Sequence, residues 1–207
     1  MRISTAVVSA AAALALTTLA AQAQLLTVVE VGAPAVNCVF NPSCTITVSD
    51  SVGHIPLPYL VAPNTAFLQS RTYTGVAGTP GVGKTGYEYR ISLTEASGSA
   101  ECLSGFVLNF GPVAKLPYKG GQQADVFVVT TGGLGTIGLK SAEKFGDVIV
   151  FELAQTLCLA GGPNIKNTTF FFGLAADKAP APKPIDAQIT AVGSPSIYAV
   201  EARVPTH

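Results

Sequence analysis

The eight residues Gly78-Thr79-Pro80-Gly81-Val82-Gly83-Lys84-Thr85 match the phosphate-loop pattern G-x-x-x-x-G-K-T, yet the residues after them do not continue that fold. A phosphate loop needs a buried strand before it and a helix after it, whose free N–H groups and dipole hold the anion. Here Tyr87, Tyr89, Ile91 and Leu93 alternate with Glu88, Arg90, Ser92 and Thr94. A two-residue period in aromatic and β-branched residues describes a half-buried strand. The loop therefore reads as a glycine-rich hairpin connection that launches a strand, pairing it with the candidate strand Ala66 to Tyr73. An exported, disulfide-bonded chain also meets little ATP, although Val148-Ile149-Val150-Phe151-Glu152 imitates the acidic strand end that a nucleotide site requires.

The same pattern of short runs between turn residues recurs along the chain. Gln24 to Val31 opens it, with Leu25, Thr27, Val29 and Val31 on one face, and Gly32-Ala33-Pro34 interrupts it. Thr45 to Val48 is a short strand, and Asp50 to Asn64, with Pro56, Pro58 and Pro63, is an ordered loop. Glu101 to Phe110 places Phe106, Leu108 and Phe110 on one face. Ala124 to Thr131 is nearly continuous in apolar residues, as in a central strand covered on both faces. Leu134 to Leu139 is glycine-interrupted and fits an edge or bulged strand. Asp147 to Leu159 could end as a glycine-closed helix, but its Val148 to Phe151 start favours a strand. Thr168 to Leu174, Ala187 to Val192 and Ser196 to Val204 are further strands, and Pro180, Pro182 and Pro184 mark an extended surface loop. About ten short strands and no amphipathic helix between them predict an all-β fold, an antiparallel sandwich of jelly-roll type.

The start of the chain is expected to lie outside that fold. A positive Met1-Arg2, an apolar Ala6 to Ala20 and the small residues of Ala21-Gln22-Ala23 form a secretory signal peptide over residues 1–23. Residues 24–207 then make one domain, of which 24–36 could act as an N-terminal strand arm. No stretch is long and apolar enough to span a bilayer as a helix. The expected location is secreted or extracellular, and periplasmic in a Gram-negative source. Charged residues make up 12% of the chain, about half of the usual quarter, and the formal net charge is zero. Such a surface has no basic field for nucleic acid. The four cysteines suit an oxidising compartment. Asn41-Pro42 offers a turn that brings Cys38 to Cys44, which leaves Cys102 with Cys158. A metal site is disfavoured because no histidine is near a cysteine and no C-x-x-C occurs.

Catalytic patterns find little context. Ser141-Ala142-Glu143-Lys144 and Lys84-Thr85-Gly86 spell two motifs of penicillin-binding enzymes, but in the reverse order and without the element between them. Lys144 is expected in a solvated turn. His54 sits beside a proline-rich loop, His207 is the last residue, and no G-x-S-x-G occurs. Glu88 and Arg90 read as solvent-face charges, and Glu152, in the most apolar surroundings, is the acid to examine for a raised pKa. Tyr59 and Tyr118, in loops beside prolines, are the candidate ligand contacts, for example to a glycan. Asn167-Thr168-Thr169 is a glycosylation pattern that matters only in a eukaryotic secretory pathway. The expected function is an exported, non-enzymatic, structural or adhesive sandwich without cofactor, which could build a fibre by donating Gln24 to Val31 to a neighbour. A carbohydrate-binding module is the alternative, and a carboxylate-dependent hydrolase the third.

Overall fold

The computed structural model of the protein describes residues 22–99, 101–159, 167–177, 183–193 and 196–206. The signal peptide read over residues 1–23 lies outside the described residues except at its last two positions, as do Pro180 and Pro182 of the proline-rich loop. In chain order the elements are β1 (Gln24–Leu25), β2 (Val28–Gly32), α1 (Ala33–Phe40), β3 (Ser49–His54), β4 (Phe67–Thr74) and β5 (Lys84–Ser92). There follow β6 (Leu103–Asn109), β7 (Leu116–Lys119), β8 (Gln122–Ala124), β9 (Val126–Thr131) and β10 (Leu139–Phe145). The last four are β11 (Val148–Leu157), β12 (Phe171–Asp177), β13 (Lys183–Ala191) and β14 (Ile197–Val204).

Twelve of the strands form two six-stranded sheets, ordered β1-β10-β11-β6-β13-β14 and β2-β9-β12-β5-β4-β3. All the pairings are antiparallel except that of β2 with β9. The fold is thus the expected all-β sandwich. Its centre is aromatic: Tyr89 and Phe172 of the second sheet meet Phe106 and Phe151 of the first, with ring centroids 5.1 to 6.2 Å apart. The two sheets differ in burial. In β13 and β14 buried and accessible residues alternate, as one buried face requires. In β9, β12 and β5 nearly every residue is buried. The reading of Ala124 to Thr131 as an interior strand covered on both faces holds for Val126 to Val129, whereas Ala124 ends β8 and Thr131 is exposed.

The second cover is a small outer layer made by α1 and the β7–β8 hairpin. Val36, Val39 and Phe40 recur at helical spacing and are buried, and the Phe40 ring meets Tyr73 edge-on at 4.8 Å. The sequence reading took Gly32-Ala33-Pro34 as a plain interruption. Pro34 instead sits in the first turn of α1, where its missing N–H would have had no partner in any case. In the hairpin, Gly120 and Gly121 both hold left-handed backbone angles (φ 55° and 84°), which only glycine adopts without strain.

Several expectations are corrected. Thr45 to Val48 is not a strand, whereas Ser49–His54, read as the start of a loop, is the edge strand β3. Its Ser-Asp-Ser start is polar on both faces, Asp50 meeting Arg71 and Ser49 meeting Arg203, so it shows no apolar alternation, and polar residues suit a sheet edge. A strand does not run over Leu134 to Leu139 but begins at Leu139, so Lys144 belongs to β10 and not to a turn. The arm Gln24 to Val31 is two strands, not one. The chain crosses between the sheets at Leu26-Thr27: Leu26 N–H donates to the Ala142 carbonyl (2.9 Å), and Thr27 N–H to Asp125 Oδ2 (2.8 Å). The crossing turns the side chains over, leaving Leu25 72% exposed while Leu26, Val29 and Val31 are buried. The arm is paired within its own sandwich.

The loop Gly78 to Thr85 connects β4 to β5 as a hairpin, as read. The N–H groups of Gly81, Val82 and Lys84 donate to the carbonyls of Val39, Thr79 and Gly81, and the Lys84 ammonium pairs with Asp177. These three N–H groups and the lysine that a phosphate loop would use are thus committed to the fold.

Both expected disulfides are present, Cys38–Cys44 tying the last turns of α1 to the chain after it and Cys102–Cys158 across the ends of the neighbouring strands β6 and β11. The second closes a separation of 56 residues, against 6 for the first. In the chain-entropy picture Cys102→Ser/Cys158→Ser therefore loses on the order of 4 kcal/mol and Cys38→Ser/Cys44→Ser about 2 kcal/mol. Urea unfolding followed by circular dichroism checks the order, and a larger loss for the short loop would contradict it.

Candidate functional site

The outer face of the second sheet carries a row of charges beneath the outer layer. Register sets Gly173, Glu88, Arg71 and Asp50 side by side across β12, β5, β4 and β3. Arg71 holds Asp50 through two hydrogen bonds (Nε to Oδ1 3.0 Å, Nη2 to Oδ2 3.3 Å) and lies over the Phe171 ring, 4.1 Å from its centroid. Arg90, one register step away, donates twice to Gln69 Oε1 and lies 5.3 Å from the same ring.

Two strand glycines make room for this row. A Cβ on Gly86 would fall 2.3 Å from the Tyr73 ring, so Tyr73 lies flat across β5 there and donates its hydroxyl to Glu88 Oε1 (2.8 Å). A Cβ on Gly173 would meet the Tyr87 carbonyl at 2.3 Å, the Phe127 ring at 2.6 Å and Glu88 Cγ at 3.1 Å. Glu88 is thereby sunk to 5% exposure among aromatic and glycine neighbours. Burial raises its pKa to about 7, although the Tyr73 hydrogen bond and Arg71 pull it down and Asp50 pushes it up with the burial. Burial also pushes the Tyr73 phenol well up, with Glu88 adding to the effect.

Above the row is a pocket of about 400 Å³. Its floor is Glu88, Arg71 and Phe171, and Val129 of β9 lines one side. Ala33 and Asn37 of α1, Ile46 and Val48 after the disulfide, and Gly132 to Leu134 after β9 complete the walls. Among the described residues nothing donates a hydrogen bond to Glu88 Oε2, whose nearest cation is Arg71 Nη1 at 3.9 Å. The arrangement can hold a small molecule against apolar walls and exchange one hydrogen bond or proton with it at the floor.

The residues singled out in the sequence fall elsewhere. Tyr118 is 1% exposed in the outer layer against Phe127 (4.7 Å), so it offers no surface to a ligand. The hairpin folds it inward because the open face of the second sheet needs apolar cover. Tyr59 is 82% exposed on a surface loop and does not line the pocket. Glu152 points to solvent from the outer face of the first sheet, and the Lys140 ammonium (2.8 Å) holds its pKa below the ordinary value instead of raising it. His54 is exposed at the end of β3. Among the described residues no three His, Cys, Asp or Glu side chains gather as a metal site. Asn167 Nδ2 donates to the Leu93 carbonyl at 3.3 Å. Glu88, read as a solvent-face charge paired weakly with Arg90, is the acid with the raised pKa. The usable signal was the glycine in each of two apolar strands, at Gly86 and Gly173.

Because folding raises the Glu88 pKa, the native state keeps a proton that the unfolded chain has lost. Its contribution is greatest below the ordinary value of 4.5 and disappears as pH rises to about 7. Unfolding free energy should fall by about 3 kcal/mol over that window, and E88Q should flatten the fall while matching or exceeding wild-type stability at pH 8. Urea titrations at four pH values measure this, and an unchanged slope in E88Q would refute it. Comparison of the chain with protein-family models, with curated proteins and with solved structures finds no match, so the functional reading rests on this geometry.

Proposed function

We propose that this is an exported, non-enzymatic binding protein that holds a small molecule, mostly apolar with one polar end, in the pocket over Glu88, Arg71 and Phe171. The observation that carries the reading is a carboxyl group more than nine-tenths buried, with one oxygen accepting no hydrogen bond from the described residues, at the floor of a pocket of about 400 Å³. Burying such a group opposes folding, so a fold that had no use for it would be more stable with an apolar residue there. The walls from Ile46, Val48, Val129, Leu134 and Phe171 favour an apolar body over a sugar, which needs polar partners on every side. Export accords with the two disulfides and with the signal-like start of the sequence. Methyl-labelled protein titrated with short amphiphiles tests the proposal. Saturable shifts of the Ile46, Val48, Val129 and Leu134 methyl groups, weakened at least tenfold in R71Q, are expected. Shifts spread evenly over the surface, or unaffected by R71Q, would overturn it.

A structural or adhesive role, with strand exchange between copies and a surface glycan at Tyr59, is the second reading. It is favoured by one observation: Gln24 to Val31 supplies an edge strand to each sheet, so a donated arm would fill both edges at once. Under the binding reading, deletion of Gln24 to Val31 lowers the melting temperature and leaves a monomer a monomer. Wild-type protein that polymerises, with polymerisation lost on deletion, would move the conclusion to the second reading. Light scattering at high concentration separates them.

A further inference from the structure

We propose that the polar end of the ligand is a carboxylate, which lies against Arg71 Nη1 and accepts the proton of the Glu88 carboxyl as a hydrogen bond. This rests on the binding function proposed above and gives it a chemical class. The argument begins with charge. Arg71 and Arg90 bring two positive charges to the Phe171 ring, and Asp50 brings one negative charge, bound to Arg71. Arg90 stands outside the lining, behind the Phe171 ring (5.3 Å), and hydrogen-bonds the uncharged Gln69, so with Glu88 protonated the floor and the groups directly beside it carry one positive charge in excess. An ammonium head would meet two arginines at a partly dry site, and a neutral head would leave the excess charge without a partner. One carboxylate balances it.

Geometry agrees with charge. Two of the Arg71 nitrogens are spent on Asp50, whereas Nη1 points toward Glu88 and stops 3.9 Å from Oε2, too far for a hydrogen bond. Oε1 is occupied by the Tyr73 hydroxyl, so a proton on Glu88 belongs on Oε2, the atom facing Nη1. A ligand oxygen between the two would accept from both. The remaining ionisable groups around Glu88 do not compete. Arg71 and Tyr73 come from β4, Asp50 from β3, Arg90 from its own β5 and Tyr118 from β7, whose Lys119 is exposed, while Asp125 beside Tyr118 is paired with Lys115. The helix α1, the strand β9 and the stretches 41–48 and 132–134 contain no ionisable side chain other than the bonded cysteines, and β12 has only Asp177, paired with Lys84. The phenols of Tyr73 and Tyr118, both raised by burial, stay protonated between pH 6 and 8. Glu88, at about 7, is then the group that changes charge in that range.

Deprotonation of Glu88 would set two carboxylates side by side, so binding and protonation are linked. If only the protonated form is competent, the apparent affinity follows its population, and the dissociation constant should weaken about tenfold from pH 6 to pH 8. The experiment titrates the full protein with octanoate, octylammonium and octanol at pH 6 and pH 8, read by calorimetry and by the pocket methyl groups. Octanoate should bind most tightly at pH 6 and lose about tenfold by pH 8, whereas E88Q, which keeps a neutral donor, should bind it equally at both. Octanoate affinity that is flat or rises with pH in the wild type would overturn the carboxylate assignment without recourse to any variant. Tighter binding of octylammonium or octanol would overturn it too, while leaving the pocket as a binding site. Failure of all three to move the pocket methyl groups would remove the binding function with it.

Discussion

A sheet that is buried on both faces has to be covered twice, and the centre of the second sheet of this protein is so buried. Strands β5, β9 and β12 expose almost nothing. One face is met by the first sheet around Tyr89, Phe106, Phe151 and Phe172, the other by α1 and the β7–β8 hairpin. The outer layer is small, so it covers Tyr73, Phe127 and Ala175 and leaves a gap over Arg71, Glu88 and Phe171. Both the pocket and the raised Glu88 pKa follow from that incomplete second cover, because a carboxyl beneath a full apolar layer would have no opening and one beneath water no desolvation.

The stretch from Gln24 to His54 joins these parts. It closes one side of the sandwich through β1 and β2, turns into α1, passes the Cys38–Cys44 bridge and returns to the second sheet as β3. One wall of the pocket, from Ala33 to Val48, is thus held by a strand at each end and a disulfide between them. A wall restrained in this way loses little freedom when a ligand arrives, which favours binding. At the opposite side of the sandwich Arg203 of β14 donates to the carbonyls of Ser49 and Asp50, and the Tyr89 hydroxyl donates to the Arg203 carbonyl. Asp50 is therefore positioned by the edge strands of both sheets on this side.

Electrostatics in the row Asp50–Arg71–Glu88 are not those of a surface ion pair. Asp50 and Arg71 remain partly accessible, so their bond is worth little by itself. Glu88 is buried, and the 3.9 Å to Arg71 does not offset its desolvation. The group responds by keeping its proton near neutrality. Gly86 and Gly173 are the backbone condition for this, since a side chain at either would displace the Tyr73 ring or press on Glu88 itself.

Much of the architecture was legible in residue order. The two-residue period after the glycine loop identified β5 as a strand, the unbroken run Val126 to Val129 identified a doubly covered strand, and cysteine spacing identified both bridges. Those features are local, or need only a count, and the short-range geometry of a pleated chain determines them. Alternation states which side chains share a face, but not what lies over that face. Whether Glu88 met water or an outer layer depended on α1 and a hairpin from other parts of the chain, and whether Tyr118 of that hairpin turned inward depended on the sheet face that it covers. The pairing of Glu88 with Arg71 and Gly173 depended on strand register. The helix escaped because its eight residues include, in the first turn, a proline that also reads as a break, and β3 because its residues are mostly exposed and show no apolar alternation. Residue order determined the strands and their bridges. Long-range packing, which sets burial and therefore charge, decided the site.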